Sequence, residues 1–462
     1  VRIRLVQPPL VQPRYRQLTL PVVGAELQAA GLEVEACDEN VEALDESDVD
    51  LVGITCHAYN APRAFAVADR FRARGVPVIM GGTFPTVAPH LAQPHADSVV
   101  VGELEGLATA IAADARAGRL RPRYQADAPP SLAHTARPDW SLLDASRYLR
   151  FNFPVELSRG CRFACRFCTQ GALFPTPRVR ALRDVERDLG QHDHGLVEVV
   201  DVNFLNDPRH FREAAALLRA APGPGWMGQT TVADLDADPG LPERLAASRC
   251  RAVFVGVESI TRAGLRSLDK SWSRPEVFLE VARRLREAGV AVQAGLVVGL
   301  DGDDRAAFAE TARFFEQARA QSVSITYLHY LPGTRAHAEL LAEGRRLSAD
   351  LRDYDGTRPV MDCAALPGGE LVAEVNRFLD AVYAWRSILR RAAHRGMLRH
   401  PGQLVHHLLV NATLRGYYRA GGQGPWTREA ERYLVRPEVG GAELRGAAIG
   451  AWLLDRALDL LG

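Results

Sequence analysis

Lysine is almost missing from this chain. Of 56 basic residues among 462, Lys270 is the single lysine and all the others are arginine. With its abundant Ala, Gly and Pro, the skew matches a GC-rich coding sequence and says more about codons than about chemistry. An excess of one charge sign is missing too: 56 acidic residues balance the 56 basic ones. That leaves no polycationic surface for a phosphate backbone or anionic lipid, so no nucleic-acid partner is expected. Long apolar runs are absent. No stretch of about 18 apolar residues occurs, so no transmembrane segment is expected. Residues 1–17 carry charges and prolines where a secretory leader would be apolar, and a cytoplasmic location is expected. Cysteine is scarce and odd in number, at seven, which argues against a disulfide framework. What remains is 47% hydrophobic and 24% charged, a globular composition with ample core. At roughly 100–200 residues per domain, the length suggests two to four domains.

Short apolar runs alternate with helical periodicity over the first part of the chain. Strands are expected at 2–6, 32–37, 51–55, 76–80 and 98–101, with helices at 21–30 and 61–74. This pattern predicts a doubly wound, flavodoxin-like (Rossmann-type) sheet over 1–120, which binds ligands at its strand C-termini. Residues 121–150 read as a linker ending in two docking aromatics, Trp140 and Tyr148. A second series of βα units spans 151–346, with strands expected at 155–158, 197–202, 252–257, 291–298 and 322–328. Helices are expected at 212–220, 275–288 and 305–319. The series predicts an α/β partial (β/α)6 barrel of the TIM type. The region 347–462 reads as helical, at 369–395, 403–419 and 442–461.

Three cysteines, Cys161, Cys165 and Cys168, fall within eight residues as CxxxCxxC, just after the first strand of the second series. Three thiolates on one tight loop can hold three irons of a cubane and leave the fourth open to a chelating ligand. A structural zinc would want a fourth Cys or His nearby, and the next is His192.

At these residues the chain resembles the radical S-adenosylmethionine enzymes, whose signature places an aromatic residue, here Phe167, before the last cysteine. The resemblance implies a [4Fe-4S] cluster on the three cysteines, with the backbone near Phe167 against the adenine of S-adenosylmethionine. It also implies that reduction of the cluster cleaves that cofactor to a 5′-deoxyadenosyl radical, with an external electron donor of the flavodoxin or ferredoxin type. Asp201 and Asn203 are then expected near the methionine end, Glu258 at the end of the next strand, and Val297 on a glycine-containing strand beside the adenosine. Each has a structural alternative: helix capping for Asp201 and Asn203, an arginine partner for Glu258, and packing for the strand. Lys270 occupies a position where the family often has a lysine, after its Gly-x-Glu-Ser segment. A site needing a compact ammonium would resist replacement by arginine, so Lys270 is expected to serve catalysis. Tyr327, His329 and Tyr330 are expected to line the substrate space, with Tyr330 the catalytic candidate.

The N-terminal sheet resembles the cobalamin-binding domain of one large subgroup of that family, through Val52–Thr55, Met80–Thr86 and Val101–Glu105. Thr55, Gly81, Gly82, Thr83, Gly102 and Glu103 are the expected cobalamin contacts, joined by His57, Tyr59 and Asn60 after the third strand. No DxHxxG follows the first strand, so no cobalt-ligating histidine is expected there, and His57 reads more readily as a backbone-bonded loop residue. The resemblance implies a cobalamin-dependent radical enzyme, most often a methyltransferase acting on an unactivated carbon of a small molecule or lipid. The alternatives are a cyclase or rearrangement enzyme with the same cofactors, and a corrinoid-binding regulatory protein with a vestigial barrel. The methylthiotransferase group shares the triad, but its N-terminal domain carries three further cluster cysteines and only Cys37 and Cys56 occur here.

Overall fold

The structure is a computed structural model that describes residues 1–10, 15–148, 152–192, 195–367, 369–394 and 401–419. The helix expected over 442–461 lies outside the described residues.

The N-terminal sheet is built from β1 (Arg2–Gln7), β2 (Glu33–Asp38), β3 (Leu51–Thr55), β4 (Val78–Gly81), β5 (Ser98–Val101) and β6 (Arg123–Gln125). All pair in parallel, in the order β2-β1-β3-β4-β5-β6. Its first five strands follow the flavodoxin order, which places a ligand crevice at the carboxyl ends near β1 and β3. Helices cover both faces, so β5 can be a run of buried valines with no polar alternation. β6 was not expected; it draws residues 123–125 out of the segment read as linker. Beyond it, the Trp140 ring packs on Phe153 with centroids 5.3 Å apart, and the Tyr148 hydroxyl donates to the Asp38 carboxylate at 2.8 Å.

The second sheet contains β7 (Asn152–Val155), β10 (Leu196–Val199), β11 (Trp226–Thr231), β12 (Cys250–Glu258), β13 (Ala291–Val298) and β14 (Ser322–Tyr327). Between β7 and β10 lies a short antiparallel hairpin of β8 (Ser158–Arg159) and β9 (Arg178–Val179). The six long strands are parallel and adjacent in chain order, as a partial (β/α)6 barrel requires. Two expectations need correction. The first barrel strand ends at Val155, not at Ser158, because residues 158–159 leave the sheet to pair with β9. The expected set also lacked β11, whose alternating burial carries Gln229 and Thr231 away from the core. Valines on the other face of β12 and β13, including Val253, Val255 and Val292, pack with Phe278, Leu285 and Phe315 of the surrounding helices.

The helix expected over 369–395 is two helices, Glu370–Val382 and Trp385–Ala392, because Ala384 takes an extended backbone conformation between them. A third helix spans Pro401–Arg419. These helices flank β14. The Tyr383 hydroxyl donates to the Val323 carbonyl at 2.7 Å and accepts from its N–H at 3.2 Å. Arg391 donates to the Ala320 and Gln321 carbonyls, and Asn411 donates to that of Gln321.

The segment after β14 docks on the N-terminal unit, where Leu331, Tyr354 and Val360 share one buried cluster with Val52, Phe71 and Met80. At this seam Gly333 has φ 93°, and a Cβ there would lie 2.4 Å from the Val87 carbonyl oxygen. Only glycine permits that approach.

Candidate active site

The cysteine loop leaves β8 and is pinned from several directions. The Arg166 N–H donates to the Leu268 carbonyl at 3.0 Å, the Arg162 N–H to Asn206 Oδ1 at 3.2 Å, and Asn206 Nδ2 to the Gly160 carbonyl at 2.7 Å. All three thiols are free; Cys161 and Cys165 are half-buried and Cys168 is exposed. Burial pushes the Cys165 thiol up to about 11, with the Lys270 charge pulling the other way. The ligand is the thiolate, so loading the site must displace a proton. Among the described residues no three His, Cys, Asp or Glu side chains converge as they would on a single metal ion. A cubane takes one thiolate per iron and asks for no such convergence, so the all-sulfur donor set fits it.

Phe167 packs with Leu268, Val297 and Tyr330, which brings together the aromatic of the signature, the expected adenosine strand and the candidate tyrosine. The Arg166 guanidinium lies 5.5 Å from the Tyr330 ring centroid. Tyr327 instead belongs to the strand–helix core, and His329 Nδ1 bonds the Tyr327 carbonyl at 2.9 Å, so the three candidates do not share one face.

Facing the loop, at the C-terminal edge of the first sheet, Thr55, His57, Gly81, Gly82, Thr83, Gly102 and Glu103 border one cavity of about 440 Å³. Its opposite wall is Glu156, Ser158, Arg159 and Gly160 of the barrel. A Cβ on Gly102 would meet no atom within 4 Å, so bare backbone faces open space at the rim, as a nucleotide tail entering the sheet edge would need. Burial holds His57 down at about 4, neutral at pH 7, and its ring stacks on Tyr59 with centroids 5.6 Å apart. Asn60 Oδ1 accepts the His57 N–H at 2.8 Å, and its amide reaches back to the Pro8 and Pro9 carbonyls. Asn60 therefore organises this loop from within.

Two family models match the chain: the radical SAM superfamily over residues 155–315 and the B12 binding domain over 15–112. The chain belongs to the cobalamin-dependent radical S-adenosylmethionine enzymes. Its cofactors are a [4Fe-4S] cluster, S-adenosylmethionine and cobalamin. The bacteriochlorophyllide d C-12(1)-methyltransferase of Chlorobaculum tepidum is 27% identical over 75% of this chain and 77% of its own. The C-8(2)-methyltransferase of the same organism is 25% identical over 76% of this chain and 81% of its own. In fold, the chain matches the structure of TsrM, a radical S-adenosylmethionine methyltransferase from Kitasatospora setae solved with cobalamin and a [4Fe-4S] cluster bound. That match has a TM-score of 0.66 at 18% identity and covers 93% of this chain and 99% of that one.

Within this radical S-adenosylmethionine enzyme, the lone lysine is a strut beside the cysteine loop. Lys270 is 3% exposed and donates to Glu258 Oε1 and to the Gly256 carbonyl, each at 2.8 Å. Its ammonium sits 5.3 Å from the centroid of Trp272, which stacks on Phe163 of the cysteine loop at 3.8 Å. Glu258 reaches this position because β12 carries a register shift there and its φ is 62°. A Cβ on Gly256 would fall 2.2 Å from Glu258 Oε1 and 3.2 Å from Lys270 Nζ, so only glycine leaves room for the pair. The sequence reading missed Trp272 and Phe163; an aromatic two residues after the single lysine was the available signal.

Asn203 is fully buried and satisfied: it donates to Asp234 at 2.8 Å and accepts from Thr230 Oγ1 at 2.9 Å and the Leu205 N–H at 3.1 Å. Asp201 accepts the Leu157 N–H at 2.8 Å and the Ser158 hydroxyl, at the boundary of the shared cavity. Burial pushes Asp201 up to about 7 from 3.8. Between those values the folded chain keeps a proton that the unfolded chain releases, so folding stability falls as pH rises through the window. Asp201→Asn, neutral and of the same shape, is expected to flatten that slope and to exceed the wild type by a few kcal/mol above pH 7. Denaturation midpoints at pH 5 and pH 8 test it; parallel behaviour of the two proteins would contradict the assignment.

Proposed function

We propose that this enzyme transfers a methyl group to an unactivated carbon of a small-molecule or lipid substrate. The observation that carries the reading is the shared cavity, with the cobalamin-binding rim on one wall and the segment leading into the cysteine loop on the other. When bound, the cluster and S-adenosylmethionine supply the hydrogen-abstracting radical and cobalamin supplies the methyl group. The chain's own residues fix the distance between the two halves. Gly333 sets the barrel against the sheet, and Arg159 closes the wall by joining Glu103 and Glu105 to Glu156. Reaction between groups held this way gains by positioning. The reading includes an external one-electron donor of the flavodoxin or ferredoxin type and a cytoplasmic location, where free cysteines are kept reduced.

Anaerobic reconstitution of the full chain with a reductant tests the proposal. The wild type should form 5′-deoxyadenosine from S-adenosylmethionine and retain corrin absorbance through desalting, whereas Cys165→Ala should lose 5′-deoxyadenosine by at least a hundredfold. A full cluster with no retained corrin would defeat the methyl-transfer reading, and equal product from Cys165→Ala would defeat the radical one.

A further inference from the structure

The barrel interior holds a second cavity, of about 680 Å³, bordered at one end by Asp201 and at the other by Arg251, Arg286 and Arg319. The arginine end is the floor of the barrel, where β12, β13 and β14 begin and the Pro401–Arg419 helix passes beneath. Arg159, Arg178, Arg180 and Arg187 meet carboxylates, but among the described residues Arg251, Arg286 and Arg319 form no ion pair.

Each is anchored through a backbone carbonyl. Arg251 donates to Pro224, Arg286 to Ala318 at 2.6 Å and Ala282 at 3.2 Å, and Arg319 to Ala393. Such bonds fix a guanidinium without neutralising it. The nearby acids are engaged elsewhere: Glu287 pairs with Arg283 at 2.5 Å, Glu316 with Arg390 at 3.0 Å, and Glu198, which also borders the cavity, accepts from Asn152 Nδ2 at 2.6 Å. Burial and a neighbouring arginine, Arg249 for Arg251 and Arg319 for Arg286, hold both below the ordinary arginine range. Arg286 and Arg319 repel one another, and an anion between them removes the repulsion, with Arg251 bordering the same cavity.

The rest of the floor narrows the ligand. Gln321 is buried; its Nε2 bonds His406 Nδ1 at 3.2 Å, while its Oε1 has no hydrogen-bond partner. Three arginines suit a multidentate oxyanion, and a buried acceptor beside them suits one that also carries a hydroxyl. A partly protonated phosphate group offers both.

We propose that the barrel floor is a phosphate-binding site, separate from the radical site at the opposite end of the strands and independent of the cofactors. The ligand is free phosphate or a phosphate monoester held by Arg251, Arg286 and Arg319.

Titration calorimetry on the reconstituted full chain, with inorganic phosphate in one arm and glycerol phosphate in the other, tests the site. Saturable binding of either is expected, and the tighter arm identifies the source. Arg286→Gln/Arg319→Gln should weaken binding at least tenfold, while Arg283→Gln on the outer side of the same helix should leave it unchanged. Should the double variant fail to fold by circular dichroism, Arg251→Gln alone should weaken binding several-fold. No saturable binding in either arm, or equal binding by the wild type and a folded floor variant, would overturn the proposal.

Discussion

Arg159→Met is expected to destabilise the protein by about 3–5 kcal/mol, the cost of leaving buried charges without their partner. Arg159 Nη1 lies 2.8 Å from Glu103 and 2.6 Å from Glu105, and its Nε lies 2.8 Å from Glu156; none of these side chains is more than 12% exposed. Arg178 adds a second cation on Glu103 at 2.5 Å. Methionine fills much of the same volume but leaves Glu105 without a cation and Glu156 with only Arg180, 4.0 Å away, in the buried seam between the two sheets. The loss should appear in denaturant midpoints and as corrin released during desalting. Arg283→Met, at a solvent-exposed ion pair, should leave the midpoint unchanged. A shift below about 1 kcal/mol for Arg159→Met would show that water reaches the seam.

Lys270→Met is expected to strand the Glu258 carboxylate beside the cluster loop and to remove the cation from the face of Trp272. The same penalty of about 3–5 kcal/mol applies, but its consequence is local. The stack of Trp272 on Phe163 loosens, and with it one side of the cysteine loop. Iron and sulfide per chain should fall several-fold, and the electron paramagnetic resonance signal of the reduced cluster should broaden. Lys270→Arg restores charge but brings a planar, wider head into a space bounded by Gly256, so it should recover iron content only in part. Full iron content and an unchanged spectrum in Lys270→Met would separate the lysine from the cluster loop.

The legible part of this molecule was the part written in local patterns. Parallel strands buried on both faces read as apolar runs, and β1, β3, β5 and β13 fall where those runs predict. The Pro275–Ala288 helix opens on proline and closes on Gly289 in the left-handed conformation, both visible in sequence. β11 was not legible because its barrel-facing side carries Gln229 and Thr231 and it follows the turn-like Pro222-Gly223-Pro224-Gly225. The cysteine triad announced itself by spacing alone. The residues that support it did not. Nothing local distinguishes Arg159 from the other arginines, since its partners Glu103 and Glu105 are brought to it only by the docking of the sheets. Lys270 stood out for the opposite reason, as a composition anomaly, and its partner Glu258 became visible only with the register shift in β12.

The hydroxyl, guanidinium and amide that meet Val323, Ala320 and Gln321 give the C-terminal helices a task unconnected with catalysis. A sheet that stops short of closing into a full barrel ends in a strand whose outer N–H and C=O groups invite pairing from any other extended chain. Here Tyr383 occupies both groups of one residue, and Arg391 and Asn411 cover the carbonyls that precede it. These side chains imitate a seventh strand without supplying one. The incomplete barrel can therefore stay open without becoming a template for aggregation.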